Sequence, residues 1–110
     1  MPKAQMMVFA AAQDGQREEL DRWYDERHIP DLLAVSGLVR AERYDVRALK
    51  VPEGTPAWDF MAIYHLEGED IGTILGAAAQ RMGTPEMPAS PALDSSRTLA
   101  LLVTAKERGA

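Results

Sequence analysis

Three of the four strand-like runs in this chain carry apolar residues on both of their alternating faces. Residues 5–12 (QMMVFAAA), 57–66 (AWDFMAIYHL) and 97–106 (RTLALLVTAK) each place hydrophobic side chains at successive positions, so both sides of the strand need cover. In the third run Trp58, Phe60, Ala62, Tyr64 and Leu66 alternate with Asp59, Met61, Ile63 and His65. A half-solvated antiparallel sheet would alternate cleanly between apolar and polar. The sheet is therefore expected to be covered by helices on one face and by another apolar surface on the other. A second copy of the same sheet is the simplest such surface, which predicts a homodimer.

Two helical periods separate these runs. Asp14-Gly15 ends the first strand, and residues 16–27 then place Leu20, Trp23, Tyr24 and Arg27 or His28 on one helical face. His28-Ile29-Pro30 is expected to interrupt this helix, because a proline lacks the amide and disfavours helical backbone before it. Asp31 then starts a short second piece through Leu32, Leu33 and Val35, stopped by Gly37. Residues 38–49 read as a strand, with Leu38, Arg40, Glu42, Tyr44 and Val46 on one side and Val39, Ala41, Arg43 and Asp45 on the other. Residues 70–82 read as a helix with the stripe Ile71, Ile74, Leu75, Ala78 and Met82, ended by Gly83. Residues 84–93, with three prolines, read as a loop, expected at the mouth of a cleft and mobile. The order is β-α-β-β-α-β. It predicts an α+β, ferredoxin-like sandwich: one four-stranded antiparallel sheet with its helices on one face, in a single domain over residues 1–110.

Composition narrows the function. With 46% hydrophobic residues the chain can close a core, and its net charge of -5 without a basic stripe predicts no nucleic-acid partner. It has no cysteine, which removes disulfides, thiolate metal sites and a cysteine nucleophile. The N-terminal apolar run is too short for a membrane span, so no membrane partner and a cytoplasmic location are expected. No phosphate loop or serine-hydrolase elbow is present.

The stretch WYDERHIPDLLAVSGLVRAERY, from Trp23 to Tyr44, resembles the dimeric α/β-barrel superfamily, in its EthD-like branch. The resemblance implies two four-stranded sheets packed face to face as a dimeric α/β barrel. It also implies a cleft between each sheet and its own helices for a small apolar or aromatic ligand. Relatives of this kind include cofactor-independent oxygenases, polyketide cyclases, muconolactone-type isomerases and haem-binding enzymes. The haem-binding relatives use a histidine on the second helix, and here DIGTILGAAAQRMG has none. No cofactor and no metal is therefore expected.

Within that frame His28 is the first candidate acid/base, since imidazole titrates near neutrality. A helix-terminal histidine bonded to the last carbonyls is the bland alternative. Tyr24, Tyr44 and His65 are candidates to polarise a substrate oxygen, weighed against packing roles for the tyrosines and an interface role for His65. Trp23, Phe60 and Tyr64 are candidate ligand walls or plain core. Arg40 and Arg43, on opposite faces of their strand, could each meet an oxyanion or simply pair with carboxylates. Gly72, Gly76 and Ala79 could leave room for a ligand or allow close helix–sheet packing. The leading expectation is a small cofactor-independent enzyme, a lyase, cyclase or isomerase, that transfers protons on an apolar cyclic or aromatic carbonyl or phenol. The alternatives are a cofactor-independent monooxygenase of phenolic or polyketide substrates and a non-catalytic small-molecule-binding or accessory protein.

Overall fold

The computed structural model describes residues 2–106. The elements run β1 (Lys3–Ala10), α1 (Arg17–Trp23), a π-helical turn (Tyr24–His28), α2 (Ile29–Leu33), β2 (Leu38–Asp45), β3 (Phe60–Glu67), α3 (Ile71–Arg81), a 3₁₀ turn (Ser95–Arg97) and β4 (Leu99–Val103). The sheet order is β2-β3-β1-β4, and every pairing is antiparallel. This is the expected β-α-β-β-α-β architecture, with β1 and β3 at its centre.

The helix-facing side of the sheet carries Ala4, Leu38, Ala62, Tyr64 and Leu66, which pack with Leu32, Val35, Ile74, Ala78 and Met87. A second cluster joins Ala10, Ala12, Leu20, Tyr24, Phe60 and Ala92. The helix α3 begins at Asp70, whose side chain accepts the Thr73 amide, and it buries Ile74 and Ala78 as its period requires. Gly37 adopts φ +97°, and a β-carbon there would collide with the Ile74 side chain, so the chain can turn from α2 into β2 only on a glycine. Arg97 ties the far end together, donating to Asp94 at 2.7 Å and to the Ala12 carbonyl at 2.8 Å.

Several local expectations are corrected. Pro30 does not interrupt the helix. Its preceding residue, Ile29, keeps helical angles (φ -63°, ψ -49°) and donates its amide to the Tyr24 carbonyl, five residues back. The widened turn carries the chain past the proline, which sits at the first turn of α2 where a missing amide costs least. In β2 the register slips between Leu38 and Arg40. Leu38 therefore stands opposite Leu66 on the helix side, while Arg40, Glu42 and Tyr44 pair with His65, Ile63 and Met61 on the other side. β2 ends at Asp45, short of its expected length; β1 keeps its expected length but lies two residues earlier, from Lys3 to Ala10; β4 starts only at Leu99. Trp58 lies before β3 and packs on Phe9, ring centroids 5.2 Å apart, so it belongs to the open face and not with Phe60 and Tyr64. Gly72, Gly76 and Ala79 face solvent, and neither make room for a ligand nor bring α3 closer to the sheet.

Two glycines give opposite expectations. Gly37→Ala should lower unfolding stability by about 2–4 kcal/mol, from the left-handed backbone and the Ile74 collision together. Gly76→Ala, in an exposed helix interior with nothing within 4 Å, should raise it by about 0.5–1 kcal/mol. Urea melts of the two variants check both signs.

Candidate functional site

The helix side of the sheet gathers one set of chemistry-bearing residues and the open side another. On the helix side the π turn brings Trp23 and His28 together, rings stacked at 4.3 Å between centroids and 17° between planes. Tyr24 meets both rings edge-on, at 4.9 Å from Trp23 and 5.4 Å from His28. Arg43 reaches in from β2, its guanidinium 4.9 Å over the Tyr24 ring and 4.8 Å over Phe60. Tyr64, one of the largest fully buried residues, completes the wedge from β3.

His28 is 7% exposed and lies within a continuous helical run, not at the element end that the proline implied. The helix-end role weighed for it falls with that position. Burial pushes its pKa from 6.5 down to about 4, against a smaller upward pull from Asp31. It is therefore a neutral imidazole at pH 7. Its Nδ1 is buried and has no hydrogen-bond partner. The Tyr64 hydroxyl and the Arg43 Nε are likewise buried and unpartnered. A stranded group of this kind costs about 1–3 kcal/mol, and three in one wedge need an explanation beyond packing.

Burial also raises Tyr24 to about 12, offset in part by Arg43, and raises Tyr64 further, with Tyr24 adding and Arg43 opposing. Both phenols stay protonated. Burial works against the charge on Arg43, but bonds from Asp25 and Asp21 outweigh it and leave its pKa raised. Those carboxylates sit 2.8 Å from the guanidinium and are themselves exposed. A hollow of about 260 Å³ lined by Asp21, Asp25, Arg43, Tyr44, Asp45 and Phe60 opens beside it.

The loop 84–93 lies alongside this wedge and is tied down. Trp23 donates from its indole to the Pro88 carbonyl at 3.3 Å, Arg27 donates to the Pro85 carbonyl at 2.9 Å, and Met87 and Ala92 are buried.

On the open face His65 has its Nε2 2.8–2.9 Å from both carboxylate oxygens of Glu42, with Arg40 3.3 Å from the same nitrogen. Tyr44 shares that face and is exposed. Of the candidate residues, the sheet thus unites His28, Tyr24, Trp23, Arg43, Tyr64 and Phe60, and separates His65, Tyr44 and Arg40 from them. The carboxylates Asp21 and Asp25 were missed in the sequence; their i, i+4 spacing on the polar side of α1 was the available signal. Among the described residues no group of three histidine or acidic side chains is placed to hold a metal ion. No helix among them is long and apolar enough to cross a membrane.

No protein-family model matches the chain, and no curated protein matches it in sequence. Solved structures do match its fold. A protein of Bacillus halodurans C-125 described as an ethyl tert-butyl ether d (EthD) family protein superposes with a TM-score of 0.55 at 17% identity, covering 98% of this chain and 100% of that one. A dimeric ferredoxin-like protein of unknown function from Jannaschia sp. CCS1 gives a TM-score of 0.55 at 11% identity, over 94% of this chain and 99% of that one. At these identities the likeness establishes the ferredoxin-like α+β fold. The first description carries the same family label as the resemblance of the Trp23 to Tyr44 stretch.

The depressed His28 value has a sign that can be measured. The neutral form favoured on folding contributes stability above pH 6.5, and that contribution is lost as pH falls toward about 4. Relative to His28→Phe, which keeps a ring beside Trp23, the wild type should lose about 2 kcal/mol more between roughly pH 7.5 and pH 4.5. Urea unfolding of both proteins at the two pH values gives the difference directly.

Proposed function

We propose that this protein is a small cofactor-independent enzyme that moves a proton on an apolar cyclic or aromatic carbonyl or phenol, with His28 as the base. The observation that carries this reading is the unpartnered Nδ1 of a buried, neutral imidazole set among aromatic rings. With the proton on Nε2, Nδ1 is a free acceptor buried among the rings. A base whose conjugate acid lies near pH 4 is weak. It matches a carbon acid already activated by an aryl ring or a second carbonyl, more than a simple ketone. Trp23, Tyr24 and Phe60 supply flat walls for such a ring. Entry requires Trp23 and the loop 84–93 to move outward, or Arg43 to swing toward its hollow.

The probe reaction is deuterium exchange at the activated carbon of 2-tetralone in deuterated buffer, followed by NMR. The wild type should accelerate exchange over buffer, with a rate flat above about pH 5, where the imidazole is already neutral. His28→Ala should lower the enzymatic rate by roughly 10²–10⁴-fold with the near-ultraviolet circular dichroism retained. Exchange no faster than in buffer, or unchanged in the variant, would overturn the assignment.

We further propose that two copies pair through the open face. Met7, Phe9, Met61, Ile63, Leu99, Leu101 and Val103 lie on it, and Leu99, Leu101 and Val103 are substantially exposed in one protomer. Patches of contiguous apolar surface on this scale mark interfaces. The solved structure from Jannaschia is itself described as dimeric. Light scattering at micromolar concentration should give about twice the protomer mass for the wild type, and about one protomer mass for Leu101→Glu.

A further inference from the structure

We propose that the Tyr64 hydroxyl is the donor that receives the ligand's oxygen, an enolate or phenolate oxygen on an apolar ring, with the Arg43 guanidinium beside it as counter-charge. The inference rests on the reading of the wedge as a proton-transfer site and adds to it the residue that would bind the oxygen.

The first support is the hydroxyl itself. Tyr64 is 1% exposed, its oxygen has no partner, and its ring alone would be served equally well by phenylalanine. A buried hydroxyl without a bond is a net cost, so its retention calls for an acceptor that the protein alone does not supply. The second support is its company. Tyr64 stands opposite Ala41 on β2, one diagonal step from Arg43, which is itself opposite Ala62 on the same face. Tyr24 and Arg43 both lie near enough to influence its ionisation. The third support is elimination. Of the other candidates to polarise an oxygen, Tyr44 and His65 lie on the opposite face of the sheet, and Tyr24 shares the wedge, but among the tyrosines only Tyr64 has a hydroxyl that is buried without a partner.

The chemistry then balances within the wedge. The His28 lone pair takes the proton from carbon. The C–H electron pair moves into the adjoining C–C bond, and the carbonyl π pair moves onto oxygen. That oxygen accepts from the Tyr64 O–H, which stays covalently intact because the phenol holds its proton strongly. Return of the proton from His28 to the enolate oxygen completes a tautomerisation, and its return to carbon an exchange or epimerisation, with no oxidant or reductant required. A donor aimed where charge develops, in a site shielded from water, favours the enolate over the ketone. Arg43, already balanced by Asp21 and Asp25, keeps its guanidinium over the Tyr24 and Phe60 rings and leaves its buried Nε unpartnered.

The test uses two probes that differ only in the oxygen, 2-naphthol and 2-methylnaphthalene, titrated by fluorescence into wild type and Tyr64→Phe. The wild type should bind the naphthol about 10-fold or more tighter than its methyl analogue, and Tyr64→Phe should erase that preference. The variant should melt at the wild-type temperature or above it, since the hydroxyl has no partner to lose. A preference that survives in Tyr64→Phe overturns the inference. So does a wild type with no preference, or a lowered melting temperature, which would mean that the hydroxyl is bonded structurally. Failure of tetralone exchange with the naphthol preference intact would remove the base and leave the oxygen subsite standing, so the two readings fail separately.

Discussion

The aromatic wedge depends on one irregular turn. In an α-helix residues five apart are about 140° apart around the axis, so Trp23 and His28 could not stack. The π turn over Tyr24–His28 closes its hydrogen bond from Ile29 to Tyr24 and brings residues i and i+5 above one another. The same widening lets the helix run on into Pro30, whose ring would collide with the carbonyl four residues back in regular geometry. A proline that would break a helix is thus carried by a turn that also buries the imidazole against the indole. The position of His28 in the core follows from the backbone's answer to Pro30.

The sheet then sorts charge by side. The slip at Val39 inverts the parity of the rest of β2 relative to Leu38, which keeps Leu38 in the core while sending Ala41 and Arg43 to the helices. Without that extra residue Arg40 and Glu42 would point into the wedge and Arg43 onto the apolar open face. With it, the helix side receives one cation, matched by two carboxylates of α1 that remain in water. The open side receives the Arg40, Glu42 and His65 cluster at its β2 margin, next to the apolar rows of β1, β3 and β4. A pair of sheets stacked on that face would share an apolar centre and a polar margin, the arrangement expected of a stable interface.

Much of this was legible along the chain. The element order followed from the change of period, α3 from its Asp70 cap and its stripe ending at Gly83, and the need for cover on both sheet faces from Met7, Phe9, Met61 and Ile63 beside Ala62 and Tyr64. The motif from Trp23 to Tyr44 marked the stretch that builds the wedge. What stayed hidden were features set by single extra residues. A π turn and a β-bulge each insert one residue into a regular period, and the period itself carries no trace of where the insertion falls. Hence Pro30 read as a break and Leu38 as a companion of Arg40. Trp58 was misplaced for a related reason: β3 begins two residues after it, so strand parity does not extend that far.

The electrostatics of the wedge connect these local accidents to chemistry. Burial alone acts in opposite senses on its titrating groups, lowering the imidazole and raising both phenols. The result is a base kept free of its proton and acids kept in possession of theirs, side by side and over the whole range around neutrality. In water those roles would each be held over a narrower span of pH. The positive charge on the helix side comes from Arg43, and its cost is limited because Asp21 and Asp25 neutralise it from the solvent side, leaving the guanidinium over the Tyr24 and Phe60 rings. The proton transfer proposed above would need a base, a donor and a counter-charge close together. One turn, one bulge and the i, i+4 spacing of two aspartates on α1 are what bring His28, Tyr64 and Arg43 to the same side of the sheet.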